Sequence, residues 1–210
     1  MKDLPAFTTE NGVASIVLQE IPYSKTAYVI IRDSLMPEEF IKECGDFCRA
    51  AGAERVYATG HEKLKGYPYH TAIWKMEGAK LPDQGAVCVP VTEDTLAQWC
   101  EVYNRKMAAV PNAAYMGKHK KDLILADGCF VYDNEVLLGI GMTSDGGIDA
   151  VASVIPGGGE RIVSALCQRI GKEKITLQVA LENEKAIALY ERMGFQKTEE
   201  ISCWYKIFEL

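Results

Sequence analysis

The segment Ile175–Phe195 limits most strongly what this chain can fold into. It reads ITLQVALENEKAIALYERMGF, a β-branched run that ends near Leu181 and passes almost at once into a helical pattern. Gly194 is typical of the residue that follows a helix. The apolar residues of the helix share one face: Ala186, Ile187, Tyr190 and Met193. Strand, helix and strand in direct succession predict a sheet with parallel pairing in its middle.

The residues before this segment predict the rest of that sheet. Three β-rich runs, Cys129–Asp133, Val136–Thr143 and Ile148–Val154, are separated by short turn sequences, which favours an antiparallel meander. A glycine-rich turn and a helix over Glu160–Ile170 then lead to a strand at Lys174–Leu181. The fold class is therefore α/β, or α+β, with a mixed central sheet, flanking helices and a smaller N-terminal α/β portion.

Two further parts of the chain have weaker patterns. An irregular helix is predicted over Ala113–Leu125, after a clear amphipathic helix that ends before Pro111. At the C-terminus, two separate strands are predicted, Phe195–Glu200 and Cys203–Phe208. The stretch Gly78–Gly85 is rich in Gly, Pro and Asp and is read as a linker, which divides the chain into domains 1–85 and 86–210.

Composition excludes several classes of protein. The chain has 210 residues and a formal net charge of −6, which disfavours a nucleic-acid partner because phosphate binding needs concentrated Lys and Arg. No apolar run approaches the ~20 residues that span a bilayer, and the polar start lacks the apolar core of a signal peptide. We therefore expect a cytoplasmic protein without a membrane partner. The seven cysteines are read as free thiols and no metal site is predicted.

A specific signature lies within the first segment. It consists of Asn183, Ala186, the pair Leu189-Tyr190 and the pair Gly194-Phe195. This combination resembles the GNAT superfamily of N-acetyltransferases, and with the meander the resemblance covers about residues 86–210. Residues 1–85 loosely resemble the latter half of a GNAT unit without the signature. They are read as a degenerate copy or as an extension that covers the substrate.

The resemblance implies that acetyl-CoA binds where Ile148–Val154 and Lys174–Leu181 splay apart. The pantetheine arm would pair with backbone groups in that opening. The pyrophosphate would lie at the N-terminus of the following helix, where free N–H groups favour an anion. The residues implied in cofactor binding are Ala152, Val154, Gly158, Gly159, Arg161, Asn183, Ala186 and Tyr190.

The glycine-rich loop departs from the family pattern. The slots that commonly hold a basic residue or Gln and then Gly-x-Gly contain Gly158, Arg161 and Val163 here. Glu160 brings a negative charge to the site, and Arg161 is predicted to compensate as a phosphate partner. A plain glycine turn without phosphate binding is the alternative.

Two catalytic residues are predicted. Tyr190 would protonate the departing thiolate, as the family tyrosine is thought to do, and Asp149 would accept the proton of the amine. Alternatives remain for each: Tyr190 as a core residue, Asn183 as a turn cap, and Asp149 as the end of the Asp145-Gly146-Gly147 turn, with Glu182 as a second candidate base.

The predicted function is transfer of acetyl from acetyl-CoA to a primary amine, by direct attack in a ternary complex and without a metal. The acceptor is a small molecule or a peptide amine, and the pattern does not say which. The alternative is a catalytically inactive module of the same fold that binds or senses acyl-CoA, which the altered glycine loop favours. The oligomeric state is open.

Overall fold

The computed structural model describes residues 2–210, and they form two compact units. Residues 2–72 and 201–210 make the first unit, and Ile73–Glu200 make the second. Both units combine β-strands with helices, so the predicted α/β class is confirmed.

The bounds of the regular elements follow the chain order. The strands are β1 Leu4–Thr9, β2 Gly12–Val17, β3 Thr26–Ser34, β4 Arg55–Thr59, β5 Tyr69–Ala79, β6 Val87–Pro90, β7 Gly128–Asp133, β8 Val136–Ser144, β9 Gly147–Ser153, β10 Lys174–Ala180 and β11 Gln196–Glu209. The α-helices are α1 Ile21–Ser24, α2 Pro37–Ala50, α3 Leu96–Met107, α4 Lys121–Asp127, α5 Gly159–Ile170 and α6 Glu184–Arg192. Short 3-10 helices cover Glu62–Gly66 and Lys118–Lys120.

The first unit is a sheet with the strand order β1-β2-β3-β4-β11. Strands β1, β2 and β3 form an antiparallel meander, α2 follows, and β4 returns parallel to β3. Pro37 begins α2, where its missing N–H costs nothing. The apolar stripe of α2 packs on alternate residues of β2, β3 and β4, and its buried members are Phe40, Ile41, Cys44 and Cys48.

The second unit repeats this topology. Strands β7, β8 and β9 form the predicted antiparallel meander, α5 follows, and β10 runs parallel to β9. The strand order is β5-β10-β9-β8-β7-β6. One core lies under α5 and α6, and a second lies under α3 and α4. Gly139 and Gly141 of β8 lie against α5, because an added Cβ would contact Ile162 and Leu166 there.

The predicted boundary after Gly85 differs from the division between the compact units. The seven residues Ile73–Ala79 of strand β5 pair with β10 and belong to the second unit. The residues after it are held by side chains of α5: Gln168 donates to the Leu81 carbonyl, and Ser164 donates to the Pro82 carbonyl. The stretch read as a linker is therefore a fixed connection.

Two further predictions differ from the structure in their details, and one strand was missed. The final residues form one long strand, β11, and its last part pairs with β4. The helix predicted over Ala113–Leu125 starts later, because residues 113–117 are irregular and are followed by a 3-10 turn and the short helix α4. Strand β1 was not predicted; its Pro5 and polar residues give a weak strand pattern at the edge of the sheet.

Candidate active site

Strands β9 and β10 diverge soon after they meet. Their parallel pairing contains only two residue pairs, Gly147 with Thr176 and Ile148 with Leu177. Both strands continue beyond this point, to Ser153 and Ala180, without pairing to each other. In the first unit, the corresponding parallel strands β3 and β4 pair over five residues. The opening predicted between β9 and β10 is thus a feature of the second unit alone.

A β-bulge marks the point where the opening starts. On the β8 side, Ile148 pairs with Thr143 and Ala150 pairs with Met142, so Asp149 is an extra residue in β9. A bulge redirects a side chain and often lies beside a functional site. Asp149 lies within a strand and not in the preceding turn, which ends where Ser144 pairs with Gly147.

Asp149 also lines a polar cavity of about 320 Å³. Its other lining residues come from β5, β8, β9, β10 and the turn between β8 and β9, and include Lys75, Ser144, Thr176 and Gln178. Burial of part of the Asp149 side chain raises the pKa of its carboxyl group, a hydrogen bond from Ser144 opposes that shift, and the charge of Asp127 adds to it. A carboxylate with a raised pKa is a better base than an ordinary aspartate.

The bulge changes which backbone groups face the opening. The Val154 N–H donates to the Leu138 carbonyl at 2.9 Å, and the Ala152 carbonyl lies against Gly139, so both residues direct backbone groups towards β8. Because backbone groups alternate along a strand, Val151 and Ser153 face the other side. The backbone groups of Ala152 and Val154, which were predicted to bind the cofactor, thus face β8, and those of Val151 and Ser153 face the opening.

Tyr190 lies on the buried face of α6. It is 7% exposed, and its ring packs against Phe195 with the ring centres 6.1 Å apart. Among residues 2–210 its hydroxyl has no hydrogen-bond partner. Burial raises the pKa of Tyr190 to about 12, so the phenol stays neutral and remains a donor. The side chain belongs to the core and still carries an available hydroxyl.

Asn183 is the N-cap of α6. Its side-chain oxygen accepts a hydrogen bond from the Ala186 N–H at 3.4 Å, which is the turn-capping role. This bond orients the side chain and uses only its oxygen, so the amide N–H₂ group can still donate to another acceptor. Ala186 is half-buried in the first turn of the same helix. The two signature residues are thus adjacent at the end of β10.

The glycine loop ends where α5 begins. Gly157 has a φ of +76°, which favours glycine, and Gly158 is the N-cap. A Cβ on Gly158 would lie 2.8 Å from the Ser153 Oγ, and one on Gly159 would lie 2.8 Å from the Leu189 Cδ2. The glycines therefore allow close packing of the loop on β9 and α6. The first N–H groups of α5 have no intrahelical acceptor and suit an anion.

Arg161 does not point to this anion site. Its guanidinium pairs with the Asp133 carboxylate and donates to the Gln84 carbonyl at 3.3 Å. The hydrogen bond from Arg161 holds the pKa of Asp133 below its usual range. The charge of Arg161, which was predicted to bind phosphate, is therefore paired within the fold. Sequence spacing could not reveal this contact, which joins residues far apart in the chain.

Arg192 is the cation that lies beside the first turn of α5. Its guanidinium is 3.7 Å from the Glu160 carboxylate, and both side chains are largely exposed. It also donates to the Ala188 carbonyl of its own helix at 3.1 Å. No sequence pattern singles out Arg192, because a basic residue is ordinary at the end of a helix.

Residues 2–210 contain neither a membrane-spanning helix nor a group of side chains that could hold a metal ion. No helix in that range has both the length and the apolar character needed to cross a bilayer. No group of three or more His, Cys, Asp or Glu side chains in the same range is arranged to hold a metal ion.

Comparisons with known proteins agree with this geometry. Residues 156–205 match the family model described as FR47-like protein. The chain is similar in structure to a GCN5-related N-acetyltransferase from Sphaerobacter thermophilus, with a TM-score of 0.58 and 13% identity, covering 94% of this chain and 78% of that one. No curated protein sequence matches this chain significantly.

Two further solved structures have the same fold. One is a tandem GNAT protein from the clavulanic acid biosynthesis pathway, with a TM-score of 0.58 and 11% identity, covering 93% of this chain and 78% of that one. The other is a functionally unknown conserved protein from Staphylococcus epidermidis, with a TM-score of 0.60 and 14% identity, covering 96% and 92%. These likenesses show that the chain has the same fold as these structures, and the family model matches residues 156–205 within it.

Proposed function

From the GNAT fold of this chain, we propose that it transfers an acetyl group from acetyl-CoA to a primary amine by direct attack in a ternary complex. The observation that carries the proposal is the early end of the β9–β10 pairing at Ile148 and Leu177. It leaves backbone donors and acceptors of β9 free in an opening beside the signature helix α6. We take the cytoplasm as its location.

The cofactor is proposed to lie along this opening. The backbone of Val151 and Ser153 would pair with the amides of the pantetheine arm, and the Asn183 side chain would donate to one of its carbonyls. The pyrophosphate would meet the free N–H groups of Gly159, Glu160 and Arg161 at the start of α5. Arg192 would supply the positive charge once it leaves Glu160.

Asp149 and Tyr190 are proposed to carry out the proton transfers of the reaction. Asp149 accepts a proton from the ammonium form of the acceptor, whose free amine then attacks the thioester carbonyl. The carbon–sulfur bond breaks, and Tyr190 donates a hydrogen bond, and finally a proton, to the departing sulfur. The high pKa of Tyr190 keeps the donor proton in place before that step. The cavity beside Asp149 is proposed as the acceptor pocket, and its polar lining suits a hydrophilic small molecule or peptide amine.

The first unit is proposed to be a degenerate GNAT-like copy. It repeats the order of meander, helix and parallel strand. Its parallel strands β3 and β4 stay paired over five residues, so they offer no opening for a pantetheine arm. One acetyl-CoA should therefore bind per chain.

One observation favours a second candidate, a module that binds acyl-CoA without catalysis. Glu160 places a carboxylate in the first turn of α5, and the nearby Arg161 is held by Asp133. A negative charge at that site weakens binding of the pyrophosphate. Such a protein would bind acyl-CoA weakly and release no CoA.

Two measurements separate these functions. Acetyl-CoA should raise the melting temperature, because a ligand of the native state stabilises it, and titration calorimetry should give one site per chain. Release of free CoA in the presence of a panel of primary amines then distinguishes enzyme from sensor. No thermal shift at millimolar acetyl-CoA would reject both candidates, and binding without CoA release for any amine would favour the sensor.

A further inference from the structure

Two cysteines lie side by side at the edge of the second unit. Strand β6 is the edge strand, and it pairs antiparallel with β7. Cys88 pairs with Val131, and Cys129 is two residues from Val131 on the same strand, so the cysteines are diagonal neighbours on one face. Each thiol is the largest influence on the pKa of the other. Neither thiol is part of a disulfide in this structure.

An arginine lies beside this thiol pair. The Arg169 guanidinium donates to the Gly128 carbonyl at 3.3 Å and to the Ala126 carbonyl at 3.4 Å, which fixes it next to Cys129. The hydrogen bond from Cys88, together with the charge and a hydrogen bond of Arg169, outweighs burial and lowers the pKa of Cys129 to about 7. The pKa of Cys88 is raised by the same hydrogen bond and by burial. One thiolate of the pair is therefore stabilised.

A cavity gives access to the pair. Its volume is about 440 Å³, and Cys88 and Arg169 are among its lining residues together with Ala165 and Gln168 of α5. Cys88 is half-buried, whereas Cys129 is fully enclosed behind it. A small reagent in this cavity would thus meet the Cys88 side of the pair next to the arginine. Larger reagents would be excluded from Cys129.

A second cysteine pair in the chain provides an internal contrast. Cys44 and Cys48 are one turn apart on α2, and both are buried in the core of the first unit. Burial raises the pKa of each to about 12, and no cation contributes to either shift. Proximity alone therefore does not activate a thiol pair in this chain, and the arginine and the cavity distinguish Cys88 and Cys129.

We propose that Cys88 and Cys129 form a peroxide-reactive dithiol that closes to a disulfide. The Cys129 thiolate attacks one oxygen of hydrogen peroxide, forming an S–O bond while the O–O bond breaks, and the departing hydroxide takes a proton from the solvent to become water. The Cys88 sulfur then attacks the sulfenic acid, and the S–S bond forms as the S–O bond breaks and a second water leaves. Two thiols are oxidised by two electrons, and one peroxide is reduced to two waters. The inference does not depend on acyl transfer.

Peptide mapping of the intact chain tests the inference. The reduced protein is treated with an equimolar amount of hydrogen peroxide, free thiols are blocked, and the digest is examined by mass spectrometry. We expect a Cys88–Cys129 disulfide to form at least about tenfold faster than any oxidation at Cys44 or Cys48, because thiolates react and thiols do not. Equal rates at the two pairs, or oxidation of Cys129 without a disulfide, would overturn the inference.

Three variants test the separate parts. Cys88→Ser should stop the reaction at a sulfenic acid on Cys129, which dimedone traps when it is added together with denaturant, and Cys129→Ala should leave Cys88 unoxidised. Arg169→Gln should slow disulfide formation by about tenfold, since it removes the charge that stabilises the thiolate. Circular dichroism checks that each variant is folded. If Cys129→Ala does not fold, the rate of disulfide formation in Arg169→Gln is the test. An unchanged rate would reject the proposed activation of the thiolate by Arg169.

Discussion

Ile148 of β9 and Leu177 of β10 are the last residue pair that joins these two parallel strands. Beyond them, the bulge at Asp149 turns β9 away, and the strands continue apart. The corresponding strands of the first unit, β3 and β4, stay paired over five residues. On its other side, β9 packs closely against β8 at Gly139.

That packing predicts a strong effect of Gly139→Ala. A methyl group at Gly139 would lie 2.2 Å from the Ala152 carbonyl oxygen, which is backbone and cannot rotate away. We expect the free energy of unfolding to fall by about 1–3 kcal/mol, the usual cost of overpacking. Urea denaturation measures it. Gly66→Ala is the matched control, because an added Cβ there has no neighbour within 4 Å among residues 2–210; equal stability of the two variants would contradict the prediction.

Tyr190→Phe should separate catalysis from binding. The hydroxyl has no structural partner among residues 2–210, so its removal should change the free energy of unfolding little. If it donates to the departing sulfur, kcat should fall by about 10²-fold while the Kd for acetyl-CoA stays within about twofold. Steady-state kinetics with calorimetry measures both. An unchanged kcat would assign Tyr190 to the core alone.

The part of the site that could be predicted from the sequence is the part set by local spacing. Asn183 and Tyr190 are predicted from the resemblance of a compact strand–helix–strand segment to the GNAT signature, and the structure places them at the N-cap and on the buried face of α6. The sequence does not predict that the backbone groups of Ala152 and Val154 face β8, because one bulge residue shifts their alternation and no residue type in β9 indicates a bulge.

Contacts between distant segments explain the remaining differences. Arg161 pairs with Asp133, and Lys206 near the C-terminus pairs across strands with Tyr57. Neither contact can be predicted from the local spacing of apolar residues, because each joins segments that are distant in the chain. The topology of the meander was predictable, since short polar turns force neighbouring strands to pair.

Asp149→Asn tests the proposed base through pH. The pKa of Asp149 is raised above the ordinary aspartate value by burial, and the base works only when it is ionised. Activity should therefore fall as pH decreases through that raised pKa, and the acidic limb of the kcat/KM profile should lie above the usual range for aspartate. Asp149→Asn should lower kcat/KM by at least about 10²-fold and remove this limb. Asp145→Asn is the control, because Asp145 lines the same cavity but pairs with Lys172.

Glu160→Gln tests the altered glycine loop. Glu160 lies in the first turn of α5, where its charge competes with an anionic ligand, and it also binds Arg192. Removing the charge should free Arg192 and tighten CoA binding by about two- to fivefold, equivalent to about 0.3–1 kcal/mol for one charge at a helix end. The gain in affinity should shrink as the salt concentration increases.

Arg161→Ala should leave the Kd for CoA within about twofold, because Arg161 is held by Asp133. Titration calorimetry measures the Kd for CoA of Glu160→Gln, Arg161→Ala and Arg192→Ala. Glu184→Gln, at the start of α6, is the charge-matched control. A larger loss of affinity for Arg161→Ala than for Arg192→Ala would return the phosphate contact to Arg161.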